Sequence, residues 1–344
     1  MKRIWTPISA AAVLVAAVAA FAWTPTDYVI RSPGPAVNLL DPADPALELS
    51  NRAPNQNGQT LVTTMSQTAQ NASVSLLDVI AGYIAPNREV VPHDAVYSPG
   101  QTPAEAEDAN RQRVDSLREQ ALAAGVAQSG RTVITKPKVV VVRQNGPAYQ
   151  QLFPGDIILE IDNTSVSDAD EVRAYIRNSK QVGDTVVLKL LRGQATVLTT
   201  IDKLAGSSTD GTVPSLGATF ETGYWFEPDI TVSLSNAYVD PAQGLGLALA
   251  TYDLLSDQDY TAGRIVAAAG QISADGAVGF VSGINEHVRS AWNAKAQVFF
   301  MPRENCSDLT SHFDGMVVVP VASLAEAVGV MPLLGVDSAH LPHC

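Results

Sequence analysis

The chain has 344 residues, a formal net charge of -13, 17% charged residues and 46% hydrophobic ones, enough for two folded domains. That charge excludes a nucleic-acid binder, which needs a basic footprint, and excludes docking on anionic lipid through basic patches. Two cysteines give no metal-site spacing and no Gly-x-x-x-x-Gly-Lys phosphate loop is present, so no metal or cofactor is expected.

Residues Ile4 to Trp23 are almost all apolar or small, and about 20 such residues suffice to cross a bilayer as a helix. Lys2 and Arg3 precede the run and Trp5 and Trp23 bracket it, which predicts a single-pass transmembrane anchor over residues 1–25 with a cytoplasmic N-terminus. A cleaved signal peptide ending at Ala20-Phe21-Ala22 is the competing expectation, and the length of the run favours the anchor. Either way the body lies outside the cytoplasm, where a disulfide between Cys306 and Cys344 is permitted; two free thiols are the alternative.

Residues 26–130 read as an N-terminal strand and helix region. Tyr28 to Asn38 is extended and broken by a Pro33-Gly34-Pro35 turn, residues 41–59 are a polar loop, and Leu61 to Thr64 is a short strand. Leu76 to Tyr83 reads as a short helix. Pro103 to Val126 is the clearest helix, with Pro103 in its first turn, acidic residues at its start and Gly125 marking its end.

Residues 131–205 resemble a bacterial PDZ domain. The likeness rests on Asn145-Gly-Pro-Ala148, Leu152-Phe-Pro-Gly-Asp-Ile-Ile-Leu159, Ile161-Asp-Asn-Thr-Ser-Val166 and Val182-Gly-Asp-Thr-Val-Val-Leu188. It implies a β-barrel-like fold in which a peptide adds as a strand beside the helix Asp168–Ser179, with Val139, Val172, Tyr175 and Ile176 as groove residues. The Gly-Leu-Gly-Phe-like loop that captures a terminal carboxylate in such domains is not visible before Val139.

Residues 213–344 show strands alternating with helices, an α/β or α+β layering. The stretch Tyr238-Val-Asp-Pro-Ala-Gln-Gly-Leu245 resembles the nucleophile loop of Lon-type serine proteases, with Asp240, Pro241 and Gly244 on its pattern and Ala242 at the serine position. Ser282-Gly-Ile-Asn-Glu-His287 resembles the segment that carries the dyad lysine, which falls on His287; the site where a threonine would hold that lysine is Ala269. An alanine has no oxygen with which to attack a carbonyl, so the resemblance implies a protease plan without its chemistry. Ser235 and Ser282 are the other serines weighed as nucleophiles, and both read as ordinary polar residues. Asp240 stands where the family has glycine, so its carboxylate is expected to project toward the oxyanion pocket.

Taken together, the chain resembles membrane-anchored, PDZ-containing Lon-like proteases. The expected fold is α+β multidomain: an N-terminal transmembrane helix, a PDZ-like β-barrel domain and a Lon-type α/β proteolytic domain. The expected function is peptide or protein binding at the outer membrane face, without catalysis. The alternative is an active Lon-like endopeptidase degrading envelope or exported proteins. Implied partners are unfolded or exported protein segments, the membrane through one N-terminal helix, and, by resemblance only, further copies of the chain; no nucleic acid is expected.

Overall fold

The computed structural model describes residues 21–344 except 42, 45, 50–57, 86, 99, 101, 194, 208–210, 228–229, 235–239, 257–258, 311–312 and 335–340. In chain order the elements begin with β1 (Pro25–Thr26), β2 (Tyr28–Asn38), β3 (Leu47–Leu49), β4 (Gln59–Gln67) and β5 (Val74–Ser75). There follow α1 (Leu76–Ile84), β6 (Glu89–Pro92) and α2 (Pro103–Gln128). A middle group holds β7 (Val133–Val142), β8 (Ile157–Ile161), β9 (Thr164–Ser165), α3 (Ala169–Ser179), β10 (Val186–Arg192) and β11 (Ala195–Ile201). It closes with β12 (Ala205–Gly206), β13 (Pro214–Ser215) and β14 (Ala218–Phe226). The last group is β15 (Ile230–Val232), α4 (Gly244–Leu255), β16 (Ile265–Ala268), β17 (Gln271–Ile272), β18 (Val278–Gly279), α5 (Ile284–Asn293), β19 (Val298–Pro302), β20 (Val317–Val321) and α6 (Leu324–Val330).

These elements form two compact units, one of residues 1–130 with 228–344 and one of residues 131–227. The segments expected as a separate N-terminal region and a C-terminal domain therefore share one unit. Their common sheet has the order β20-β19-β16-β4-β2-β6. Strands β20, β19, β16 and β4 run parallel, and β2 and β6 complete the sheet antiparallel. All five residues of β19 are buried, as befits a strand inside a parallel sheet.

Two local expectations are corrected by packing. Pro33-Gly34-Pro35 makes no turn: β2 runs through it with a bulge between Pro33 and Ala36, because Gly34 lies so close to β4 that a Cβ there would sit 2.4 Å from Thr64 Oγ1. Gly125 does not end α2. A Cβ at Gly125 would lie 2.6 Å from the Ala248 carbonyl oxygen, so this glycine lets α2 pack closely on α4.

The second unit is a sheet of order β11-β10-β8-β7-β14 with β9 paired to β8. Its core gathers Val139, Leu152, Ile158, Val172, Ile176 and Phe220. Asp168 caps α3 by accepting from the Glu171 amide, and the carboxylate of Asp156, 1% exposed, binds Arg192.

The expected fold class is corrected to a mixed α/β chain. Among the described residues no helix is long and apolar enough to cross a membrane. The expected transmembrane helix over Ile4 to Trp23 lies, but for its last three residues, outside the described residues. Cys306 and Cys344 are joined by a disulfide.

Candidate functional site

In the larger unit the Asp240–Leu245 stretch forms a tight entry to α4. Pro241–Gln243 is a single 3-10 turn capped by Asp240, whose Oδ1 accepts from the Ala242 amide at 2.9 Å. Gly270 closes the turn by donating to the Ala242 carbonyl at 2.7 Å. A Cβ at Gly244 would press on the Gly270 carbonyl at 3.1 Å, so glycine is the residue that fits. The other carboxylate oxygen of Asp240 accepts from the Met65 amide at 3.1 Å.

His287, fully buried on α5, faces this carboxylate. Its Nε2 lies 3.7 Å from Asp240 Oδ2, and its Nδ1 lies 3.0 Å from the buried Thr63 hydroxyl. The geometry suits a neutral imidazole whose Nδ1 accepts from Thr63 and whose Nε2–H points at Asp240. Burial lowers the His287 pKa from its ordinary value, against the opposing pull of the Asp240 charge.

Ala242 and Ala269 are both buried in one apolar cluster with Val281, Ile284 and Val288. The hydroxyl that the Lon-type resemblance places at position 269 is absent there, and Thr63 supplies one to His287 instead. Thr63 was not singled out from sequence, since it is one of three threonines in a short strand with no motif around it. A hydroxyl, an imidazole and a carboxylate thus stand in a row. However, Thr63 is 0% exposed, so no carbonyl carbon can reach its oxygen.

Above Asp240 and Ala242 opens a cleft of about 670 Å³, whose walls include Arg31, Tyr97, Arg113, Gln271 and Ser282. Ser282 is exposed on the wall, whereas Ser235 lies outside the described residues. Asn305 clamps the loop beneath: its amide side chain accepts from the Val281 N–H at 3.0 Å and donates to the Val281 carbonyl at 2.8 Å. Among the described residues no group of His, Cys, Asp and Glu could hold a metal.

In the smaller unit β14 is an end strand, paired to β7 from Ala218↔Val142 to Phe226↔Val133. Its other edge runs beside α3, and Arg173 of α3 donates to the Phe220 carbonyl there at 2.7 Å. An end strand with a helix along its free edge is the geometry that strand addition uses. Leu216-Gly217 leads into β14, with Gly217 at φ +70, a left-handed turn that favours glycine. Of the groove residues expected from sequence, Val139, Val172 and Ile176 are buried in the core, Val139 opposite Phe220. Tyr175 is half-buried and donates to Asp162 at 3.1 Å.

The PDZ domain family matches residues 110–202. This chain carries a PDZ domain. Its similar solved structures include the PDZ domain of the SdrC-like protein of Listeria monocytogenes, 34% identical over 25% of this chain and 86% of that chain, TM-score 0.23. The corresponding PDZ domain from Listeria innocua is 36% identical over 25% of this chain and 92% of that chain, TM-score 0.23. The family match stops before β14, so the strand that offers the open edge of this PDZ domain lies beyond it. No curated protein matches the chain. The Lon-type resemblance of the flanking segments has no counterpart in these similarities.

Proposed function

We propose that this chain is a non-catalytic peptide-binding protein that works outside the cytoplasm, with a larger unit built on a Lon-like protease plan. The observation that carries the reading is the Asp240 carboxylate seated on the Ala242 amide. In a Lon-type site that amide belongs to the nucleophile and helps to receive an oxyanion. Here it is already occupied by an anion, and residue 242 itself carries no hydroxyl. The exposed edge of β14 supports binding of an extended segment by the PDZ domain, and the disulfide supports an oxidising compartment.

The test incubates the full chain with an unfolded protein and follows fragments by mass spectrometry. In parallel, titration with a panel of fluorescent C-terminal peptides is followed by polarisation. Binding of peptides without fragments is the expected result. Fragments that vanish when Ser282 or His287 is replaced would establish the alternative, a working endopeptidase, with Ser282 on the cleft wall as its first candidate nucleophile. Absence of both fragments and binding would refute the peptide-binding reading.

A further inference from the structure

Helix α1 is held by a reciprocal cap in which the Ser75 hydroxyl receives the Asp78 amide and Asp78 receives the Ser75 amide. Its inner face, Val79 and Gly82, packs on β6 and β2; a Cβ at Gly82 would lie 2.7 Å from Val90 Cγ2. Its outer face is the reverse of what water favours. Leu77, Ile80, Tyr83 and Ile84 fall on one side at helical spacing and are 49%, 50%, 69% and 77% exposed.

The chain enters the unit beside this face. The Leu76 amide donates to the Thr24 carbonyl at 3.1 Å, and β1 pairs with β5 immediately before α1. Phe21 and Trp23, 67% and 71% exposed, therefore stand at the start of the helix. Six large apolar side chains are grouped at one place, where scattered single ones would need no explanation. Upstream, Ile4 to Ala20 contains no charged residue.

We infer that the α1 face with Phe21 and Trp23 rests on a lipid bilayer, taking acyl-chain and glycerol-level contacts. Continuity argues for lipid over another occupant, since the uncharged run reaches the unit at this face and shares its solvent preference. Tyr83 and Trp23 have an apolar body and a polar tip, the form suited to the headgroup boundary. The contact is apolar, because a chain of net charge -13 gains nothing from an anionic surface. This inference is independent of the peptide-binding reading.

The test uses the full chain, with its disulfide intact, carrying Ile80→Cys, Ile84→Cys or, as a control, Asp314→Cys, each labelled with an environment-sensitive nitrobenzoxadiazole dye. All three positions are exposed, so labelling spares the fold. With phosphatidylcholine vesicles brominated in their acyl chains, the dyes at 80 and 84 are expected to lose most of their emission while the dye at 314 keeps it. Equal emission with brominated and plain lipid overturns the inference, as does equal quenching at all three positions. A blue shift without quenching, with a doubled molar mass by light scattering, assigns the face to a second copy and also overturns it.

Discussion

On the proposed Lon-like plan, Asp240 weighs more than the alanine at position 242. Introducing Ala242→Ser and His287→Lys supplies the atoms of a Lon-type dyad but leaves a carboxylate on the 242 amide, where that plan would seat a tetrahedral oxyanion. The double variant is therefore expected to remain silent in a fragment assay, and adding Asp240→Gly and Ala269→Thr is expected to give the first cleavage. Full activity with Asp240 in place would contradict this account. His287 makes a second, separable prediction. Burial lowers its pKa in the folded protein below the ordinary 6.5, so below pH 6.5 the unfolded chain takes up a proton that the folded one refuses. Its contribution is complete above pH 6.5 and is lost as pH falls toward the folded pKa, with a slope of at most about 1.4 kcal/mol per pH unit. Asp253, raised to about 6 by burial, works in the opposite sense between the usual carboxylate range and pH 6, and the raised Glu286 has the same sign. The His287 share is thus read as the difference between wild type and His287→Asn in urea midpoints from pH 7.5 to 5. The variant should lack the acid-side loss, and parallel curves would refute the assignment.

At the scale of elements, position 283 couples α5 to the cleft. Gly283 caps the helix with φ +71, and a Cβ there would lie 2.4 Å from Met65 Sδ. Gly283→Ala should lower stability by about 1–3 kcal/mol in chemical denaturation. It should also shift Met65, whose amide holds Asp240; a variant as stable as wild type would show that the strain is absorbed elsewhere. The elements also show what sequence could and could not convey. The strands and helix over residues 138–201 were legible through the PDZ-like stretches, with Pro154-Gly155-Asp156 marking the turn before β8, although β8 pairs with β10 across β9 and α3. Leu216 to Phe226 also reads as strand from sequence, but as the entry of the C-terminal domain; the structure pairs it with β7 in the smaller unit, a partner about eighty residues earlier that no local periodicity reports. Asp240 beside Ala242 could be anticipated from a one-residue departure in a short motif. Thr63 could not, because its partner His287 is 224 positions away and nothing around either residue names the other. A proline-glycine-proline run reads as a turn from composition, yet the close approach of Thr64 turns it into a bulge.

At the scale of the whole molecule, the disulfide closes a segment with a sequence separation of 38 that includes β20 and α6 of the larger unit. A loop of that size contributes on the order of 4 kcal/mol by restricting the unfolded chain. Mild reduction should therefore lower the melting transition of the larger unit and leave that of the PDZ domain where it was, two transitions that calorimetry can resolve. A single transition, shifted as a whole, would show that the two units melt together. The order of segments carries a further consequence for biosynthesis. Strand β4 pairs with β16, so Val62 must wait for Ala268, a partner about two hundred residues later, while the PDZ domain is contiguous and can close as soon as residue 227 has emerged. During that interval β4 lacks its parallel neighbour β16. A stalled or truncated chain would thus present a finished PDZ domain beside an unpaired apolar edge.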